Sequence, residues 1–557
     1  MTKAIFALAA LLLSGPALAD TLITNINGIQ SGRDGQLERF RAIVVAPDGK
    51  VRQVVENPEV ANLANITSTV DGGGRTLLPG LIDAHGHVMA LGFAALRLDL
   101  TGTASVTDLQ QRLKDYAAAN RDAKWIVGRG WNQELWPDQR FPTAADLDAV
   151  VDDRPVALER VDGHALVANS AALKAAGITA ATRDPVGGKI ERDARGNPTG
   201  LLIDAAMPLV ERRIPAPTPA DRDRALALAQ RILLEHGLTA VADMGTSLED
   251  WQAMQRAGRA KRLQVRIMSY AAGVEAMRSI RGRKDGETIP LSLVGVKIYG
   301  DGALGSRGAW LKRPYADQPD TRGLQFLTDA QLQAQVNEAA AAGLQPAVHA
   351  IGDAAVEQAI RIFETAGARF GRDRRWRIEH FQIADPADIP RLAPAGIIAS
   401  MQPVHQTSDR LMAEKRLSPD RLAGAYAWQS VLKSGARLAF GSDFPVESPN
   451  PFPGLAAAIS RQDMDGQPAG GWIPSERLTF EQALRAFTRE AAFAGFAEDR
   501  IGALEPGKWA DFILIDRDLT KVDAQGLARA RVLETWVAGR KVWQLPGVAS
   551  NAGERGQ

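Results

Sequence analysis

The chain has no cysteine. That excludes disulfides, thiolate metal ligands, a cysteine nucleophile and a lipid-modified N-terminal cysteine. Any metal must therefore be held by nitrogen and oxygen. Charge of one sign is also lacking: 66 Lys and Arg against 65 Asp and Glu leave a formal +1. Without a basic excess to hold a polyanion, no nucleic-acid partner is expected. Past the N-terminus no apolar run is long enough to cross a bilayer. There is no internal repeat and no low-complexity tract, apart from a polar tail (546–557) expected to be disordered. At 557 residues the chain exceeds one simple core, so two domains or one large barrel with additions is expected.

What is present begins with a leader pattern: Lys3, an apolar run, then Ser-Gly-Pro-Ala-Leu-Ala before Asp20. This reads as a secretory signal peptide (1–19) cut after Ala19, giving a periplasmic or secreted product with no membrane attachment once the leader is gone. From Asp20 to Val70 short alternating runs surround the turn Pro-Asp-Gly-Lys (47–50), a hairpin signal. The C-terminal stretch has the same character, with a second hairpin at Ala-Gly-Arg-Lys (538–541). Neither end carries enough apolar surface for a core of its own. They are expected to pair into one small β-sandwich, 20–77 plus 504–545.

Between them, hydrophobic runs end near His87, Asp243, Tyr270, Asp301, His349, His380, Gln402 and Asp443. Amphipathic stretches such as 221–235, 328–342 and 353–366 separate several of these runs and are long enough to cross back over a parallel sheet. Eight such units predict a (β/α)8 TIM-type barrel over 78–503, with functional groups at the carboxyl ends of its strands. Residues 92–218 are too long for one crossover and contain strands of their own, so they are read as a cap-like insertion after the first barrel strand.

Histidine is scarce, seven in all, and five fall at those strand ends: His85, His87, His349, His380 and His405. In Leu-Pro-Gly-Leu-Ile-Asp-Ala-His-Gly-His (78–87) two imidazoles stand at i and i+2, pointing the same way off a pleated strand. A neutral imidazole is the commonest metal ligand, so this pair reads as half of a metal site. His236, beside Gly237, reads as a helix cap and stays outside the site. Trp125, Trp131 and Trp136 either line an aromatic pocket or pack the insertion.

Those segments, with Val-Lys-Ile-Tyr-Gly-Asp-Gly (296–302), His-Ala-Ile-Gly-Asp (349–353), Arg-Ile-Glu-His (377–380), Gln-Pro-Val-His (402–405), Gly-Ser-Asp-Phe-Pro (441–445) and Leu-Glu-Pro-Gly-Lys-Trp-Ala-Asp (504–511), resemble the amidohydrolase superfamily. Within it the likeness is to the group of N-substituted formamide deformylase and the YtcJ-like hydrolases. The resemblance implies two divalent metal ions, zinc first, although iron, manganese or cobalt fit the same donors. His85, His87 and Asp443 would hold one, His349 and His380 the other. Lys297 would bridge as a carbamate formed with CO2, which requires the neutral amine that an apolar strand end favours; the alternative is a lysine paired with Asp301. The implied reaction hydrolyses a C–N bond of a small amide, formamide or cyclic amide. A hydroxide shared by the metals attacks, and Asp443 shuttles the proton; a bare N-cap before Phe444-Pro445 is the alternative for Asp443.

The resemblance places His164 at the substrate, against a bond to a backbone carbonyl, and Asp301 is read as a substrate contact too. His405, after the seventh strand, is read as orienting substrate or a metal ligand, against a loop hydrogen bond. Two departures stand out. Asp204 replaces a glutamate frequent in relatives, and Gly308, where threonine is frequent, is read as opening the pocket wall. The competing readings keep the fold as a mononuclear esterase, carbamate hydrolase or deaminase, or as a non-catalytic binding protein. Oligomeric state is open, a homodimer included.

Overall fold

The computed structural model describes residues 20–57, 66–161, 163–281 and 290–548. The expected leader (1–19) and residues 549–557 of the expected tail lie outside them. Two compact units emerge, one formed by the described residues within 1–88 and 230–557, the other by those within 89–229.

The first unit contains eight parallel strands in sequential order, as the run-ends predicted. They are β1 (Leu81–Gly86), β2 (Leu238–Thr246), β3 (Arg266–Ala272), β4 (Leu291–Tyr299), β5 (Gln345–Ala350), β6 (Trp376–His380), β7 (Ile397–Met401) and β8 (Arg437–Phe440). Strands β1, β6 and β7 are buried at every position. This is why they read as continuous apolar runs rather than alternating ones. Inside the barrel Ile82, Ala84, Ala240, Ala242, Met268, Tyr270 and Ile398 share one cluster with Ala491, Ala494 and Ile501. The expected crossover helices form at Pro219–Glu235, Asp329–Ala341 and Asp353–Phe370. The second of these is fixed at its start by a Thr328–Gln331 capping box.

The ring is nearly closed. Among the described residues no ladder joins β8 to β1, and the seam is tied by other bonds. The Asp443 N–H donates to the His85 carbonyl at 2.7 Å. The buried Asp83 carboxylate accepts from the His85 N–H, the Ser442 N–H and the Ser442 hydroxyl. Gly441 permits this approach: a Cβ there would stand 2.4 Å from Asp83 Oδ1 and 2.5 Å from His85 N.

The same unit carries a six-stranded sheet in the order Arg540–Gln544, Val532–Val537, Phe512–Ile515, Thr76–Pro79, Asn27–Ser31 and Leu37–Phe40. Three of its strands come from each chain end. A four-stranded sheet of Val51–Val55, Ala42–Val45, Asp20–Thr24 and Ile66–Asp71 lies with it, sharing a core of Ile23, Ile43, Leu77, Phe512, Leu514 and Trp536. Both hairpins read from turn chemistry are present.

The second unit has its own six-stranded sheet, from Gly188–Arg192 through Pro198–Asp204, Ala165–Ala168, Val156–Arg160 and Ile126–Trp131 to Leu98–Asp99. Trp131 and Trp136 are core residues there, with indole N–H groups donating to Leu158 and Thr103 carbonyls. Trp125 packs, partly buried, on a second cluster. Of the two roles open for these indoles, packing is the one observed.

Candidate metal centre

The carboxyl ends of β1, β4, β5, β6 and the segment after β8 bring six of the sequence-derived residues together. His87 Nε2 lies 2.9 Å and His85 Nε2 3.5 Å from Asp443 Oδ1. Lys297 Nζ stands 3.1 Å from His85 Nε2. The His380 ring is 4.6 Å from that of His85 and 4.5 Å from that of His349. His405, on the helix Pro403–Arg416 that follows β7, brings Nε2 to 3.8 Å from Asp443 Oδ2. Potential ligand atoms of His85, His87 and Asp443 all lie within 4.8 Å of one another, as do those of His380, His405 and Asp443.

Electrostatics favour neutral donors. Burial first, then the charge on Lys297, pushes the imidazole of His85 down to about 4; burial and Lys297 take His349 to about 3. His380 is held well below the usual histidine range by burial and by its imidazole neighbours. Lys297, itself buried, is pushed down to about 8 by desolvation despite Glu379 and Asp443, which leaves an appreciable uncharged amine fraction near neutrality. Asp443 is held below the ordinary carboxylate range: burial opposes ionisation, but the His87 hydrogen bond and the nearby imidazoles outweigh it. Among the described residues no ion pair engages Lys297, so its pairing with Asp301 does not form. No helix starts at Asp443 either; the next begins at Pro451, capped by Asn450.

Asp443 (φ 63°) and His380 (φ 73°) both sit in the left-handed region. That conformation costs on the order of 1–3 kcal/mol at a residue with a side chain and persists where the surroundings impose it, often at functional sites.

A supporting layer was not legible in the sequence. Glu379 accepts from His85 Nδ1 at 2.6 Å and is gripped by Arg377 through Nε at 2.8 Å and Nη2 at 3.1 Å. All three side chains are fully buried. Arg377 also reaches the Ala84 carbonyl, the Ser400 hydroxyl and the Tyr270 hydroxyl. The available signal was two opposite charges at i and i+2 of a buried strand, which must face the same side. Gln402 Oε1 lies 3.0 Å from His380 Nδ1.

The remaining site residues have other partners. Asp301 is fully buried; its oxygens accept from the backbone N–H groups of Trp310, Ile351 and Gly352. It approaches His349 Nε2 at 3.5 Å, and burial raises its carboxyl to about 7. Gly308 serves a close backbone pass rather than an open wall, since a Cβ there would meet Gly302 Cα at 3.2 Å. In the second unit His164 is exposed, with Nδ1 2.8 Å from Asp204 Oδ1. The shorter acid at 204 thus faces an imidazole.

The donor set fits metal. Three imidazoles kept neutral, those of His85, His349 and His380, converge with the ring of His87, one ionised carboxylate and a lysine with a depressed pKa, and the buried His349 Nε2 has no hydrogen-bond partner. Fold and site together define a metal-dependent hydrolase.

Comparison with known proteins agrees. Residues 68–543 match the amidohydrolase family, and the chain belongs to that family. It is 35% identical over 542 residues to the protein LONG AFTER FAR-RED 3 of Arabidopsis thaliana, covering 94% of this chain and 92% of that protein. To the N-substituted formamide deformylase of Arthrobacter pascens it is 28% identical over 519 residues, covering 89% and 94%. The crystal structure of an uncharacterized metal-dependent hydrolase from Pyrococcus horikoshii superimposes with a TM-score of 0.75 at 28% identity, covering 91% of this chain and 99% of that one.

Proposed function

We propose that this amidohydrolase cleaves a non-peptide C–N bond in a small amide, formamide or cyclic amide, and that it works outside the cytoplasm. The observation that carries the reading is the convergence of neutral imidazoles, an ionised Asp443 and a partly uncharged Lys297 at one barrel end. His85, His87 and Asp443 would hold one divalent ion and His349 with His380 a second, zinc being the first candidate. Lys297 would join them after its neutral amine attacks CO2, forming an N–C bond and releasing a proton, so that a carbamate supplies two oxygens. When bound, the ions supply an activated water near neutral pH and polarise the scissile carbonyl.

The protein's own work is orientation and proton transfer. Glu379 and Gln402 fix the His85 and His380 rings by their Nδ1 atoms, leaving each Nε2 lone pair to face inward. Asp443, ionised at the barrel end, would take the proton of the attacking water on a carboxylate oxygen and deliver it to the departing nitrogen. The name of the Arthrobacter relative places N-substituted formamides among the first substrates to try. The test is hydrolysis of an amide, formamide and N-acyl amino acid panel by the mature protein before and after chelation. Chelator-sensitive turnover supports the reading, and inactivity of metal-loaded protein across the panel refutes it. N-terminal sequencing of the exported chain checks cleavage after Ala19.

A further inference from the structure

The imidazoles around Asp443 are not held in the same tautomer. His85 turns Nδ1 to the Glu379 carboxylate at 2.6 Å. A carboxylate there accepts, so Nδ1 carries the proton and Nε2 offers a lone pair, which faces Lys297 Nζ. His380 turns Nδ1 to an amide oxygen, Gln402 Oε1, with the same consequence.

His405 is built the other way round. Its Nδ1 lies 3.2 Å from Gln382 Nε2, and the same amide nitrogen lies 3.5 Å from Asp409 Oδ2. Asp409 Oδ2 also accepts from the Tyr426 hydroxyl at 2.7 Å. An amide lodged between a carboxylate and an imidazole turns its NH2 to the carboxylate, since two acceptors cannot satisfy each other. Gln382 is therefore the donor to His405 Nδ1, and the proton of the neutral ring must sit on Nε2. That atom is buried and has no hydrogen-bond partner. It lies 3.8 Å from Asp443 Oδ2, on the side of the other imidazoles, and the His405 and His380 rings are stacked with centroids 6.2 Å apart.

An Nε2 that carries a proton cannot ligate a cation, although His380, His405 and Asp443 are near enough to one another to suggest a metal site. We propose instead that His405 is a catalytic residue acting as a neutral N–H donor. It hydrogen-bonds the substrate carbonyl oxygen as negative charge builds there, while Tyr426, Asp409 and Gln382 act as positioning residues that hold the donor tautomer. The inference rests on the hydrolytic reading above and extends it from the metal ligands to a polarising donor beside Asp443. Removing one such donor typically slows turnover by about 10²–10³-fold.

The test combines nitrogen NMR of 15N-histidine-labelled full-length protein with metal analysis and kinetics on metal-loaded enzyme. The His405 signals are assigned by their loss in His405→Gln. The expected spectrum has a pyrrole-type Nε2 and a pyridine-type Nδ1 for His405, with and without metal. His405→Gln is expected to keep the wild-type metal content and to lose about 10²-fold in kcat with little change in KM. Should that variant fail to fold, Gln382→Met leaves the imidazole in place, and mixed tautomers with a smaller kcat loss are expected. A proton on Nδ1 of His405, a lost metal equivalent in His405→Gln, or an unchanged kcat in both variants would each overturn the proposal. If wild-type protein binds metal yet hydrolyses no C–N substrate, it is the hydrolytic reading that fails. The His405 tautomer then still decides whether that ring is a donor or a ligand.

Discussion

Glu379→Gln is the sharpest single perturbation of the centre, because it preserves shape while removing one charge. In the native protein the carboxylate receives three N–H donors, two from Arg377 and one from His85 Nδ1. A glutamine carbonyl can serve one side only; its NH2 must then oppose a donor on the other. Either the Arg377 guanidinium loses its buried partner or His85 reverses its tautomer and turns a protonated Nε2 toward Lys297 and Asp443. A hydrogen bond to a charged group is worth about 1.5–3 kcal/mol net, and the second of these outcomes applies that loss directly to a metal ligand. At about 1.4 kcal/mol per tenfold, metal affinity is predicted to fall roughly 10- to 100-fold, the range found when partners of ligating histidines are removed. Competition with a chromophoric chelator measures it. An affinity within about twofold of wild type would refute the claim that Glu379 sets the His85 tautomer.

Other outcomes follow from the same structure. Gly441→Ala places a Cβ 2.4 Å from Asp83 Oδ1 and 2.5 Å from His85 N, so it should cost about 1–3 kcal/mol and weaken metal binding together, read by denaturation and chelator titration. Trp131→Ala, in the second unit's core, should destabilise by about 3–5 kcal/mol, seen as earlier unfolding of that unit in limited proteolysis. Glu505, bonded to Arg33 and Arg489, has its carboxyl lowered from 4.5 to about 2, first by the Arg33 hydrogen bond. A depressed carboxyl adds stability above its unfolded pKa and loses it as pH falls through the folded value. The contribution, about 1 kcal/mol after solvent screening, should therefore disappear between roughly pH 4.5 and 2, and Glu505→Gln should flatten that part of the stability profile.

The barrel was readable because parallel strands covered on both faces must be apolar throughout, which makes a polar residue at the end of each run conspicuous. His85, His87, His349, His380 and Asp443 stand out for that reason, and Lys297 for being a lone amine at the end of such a run. The supporting layer was hidden for a physical cause. Glu379 means nothing for His85, 294 positions away in sequence, until the chain between them folds, and Gln382 acquires a role only when the helix after β7 sets His405 and Asp409 beside it. Asp301 shows the limit of reading polar strand ends as substrate contacts: its carboxylate is engaged by three backbone donors that join the loop after β4 to the start of the helix after β5. His164 and Asp204 lie 40 residues apart in sequence, yet two strands of the second unit's sheet bring them into contact. Gly308 looked like an opening, and a close backbone pass uses the space instead.

The most direct measurement is metal and carbamate stoichiometry on full-length protein loaded with metal in 13C-bicarbonate. The prediction is about two divalent ions per chain and a carbamate carbon resonance, with Lys297→Ala losing the resonance and at least one ion. Metal-free protein under those conditions, or an unmodified Lys297 ammonium in a fully loaded and active enzyme, would contradict the account.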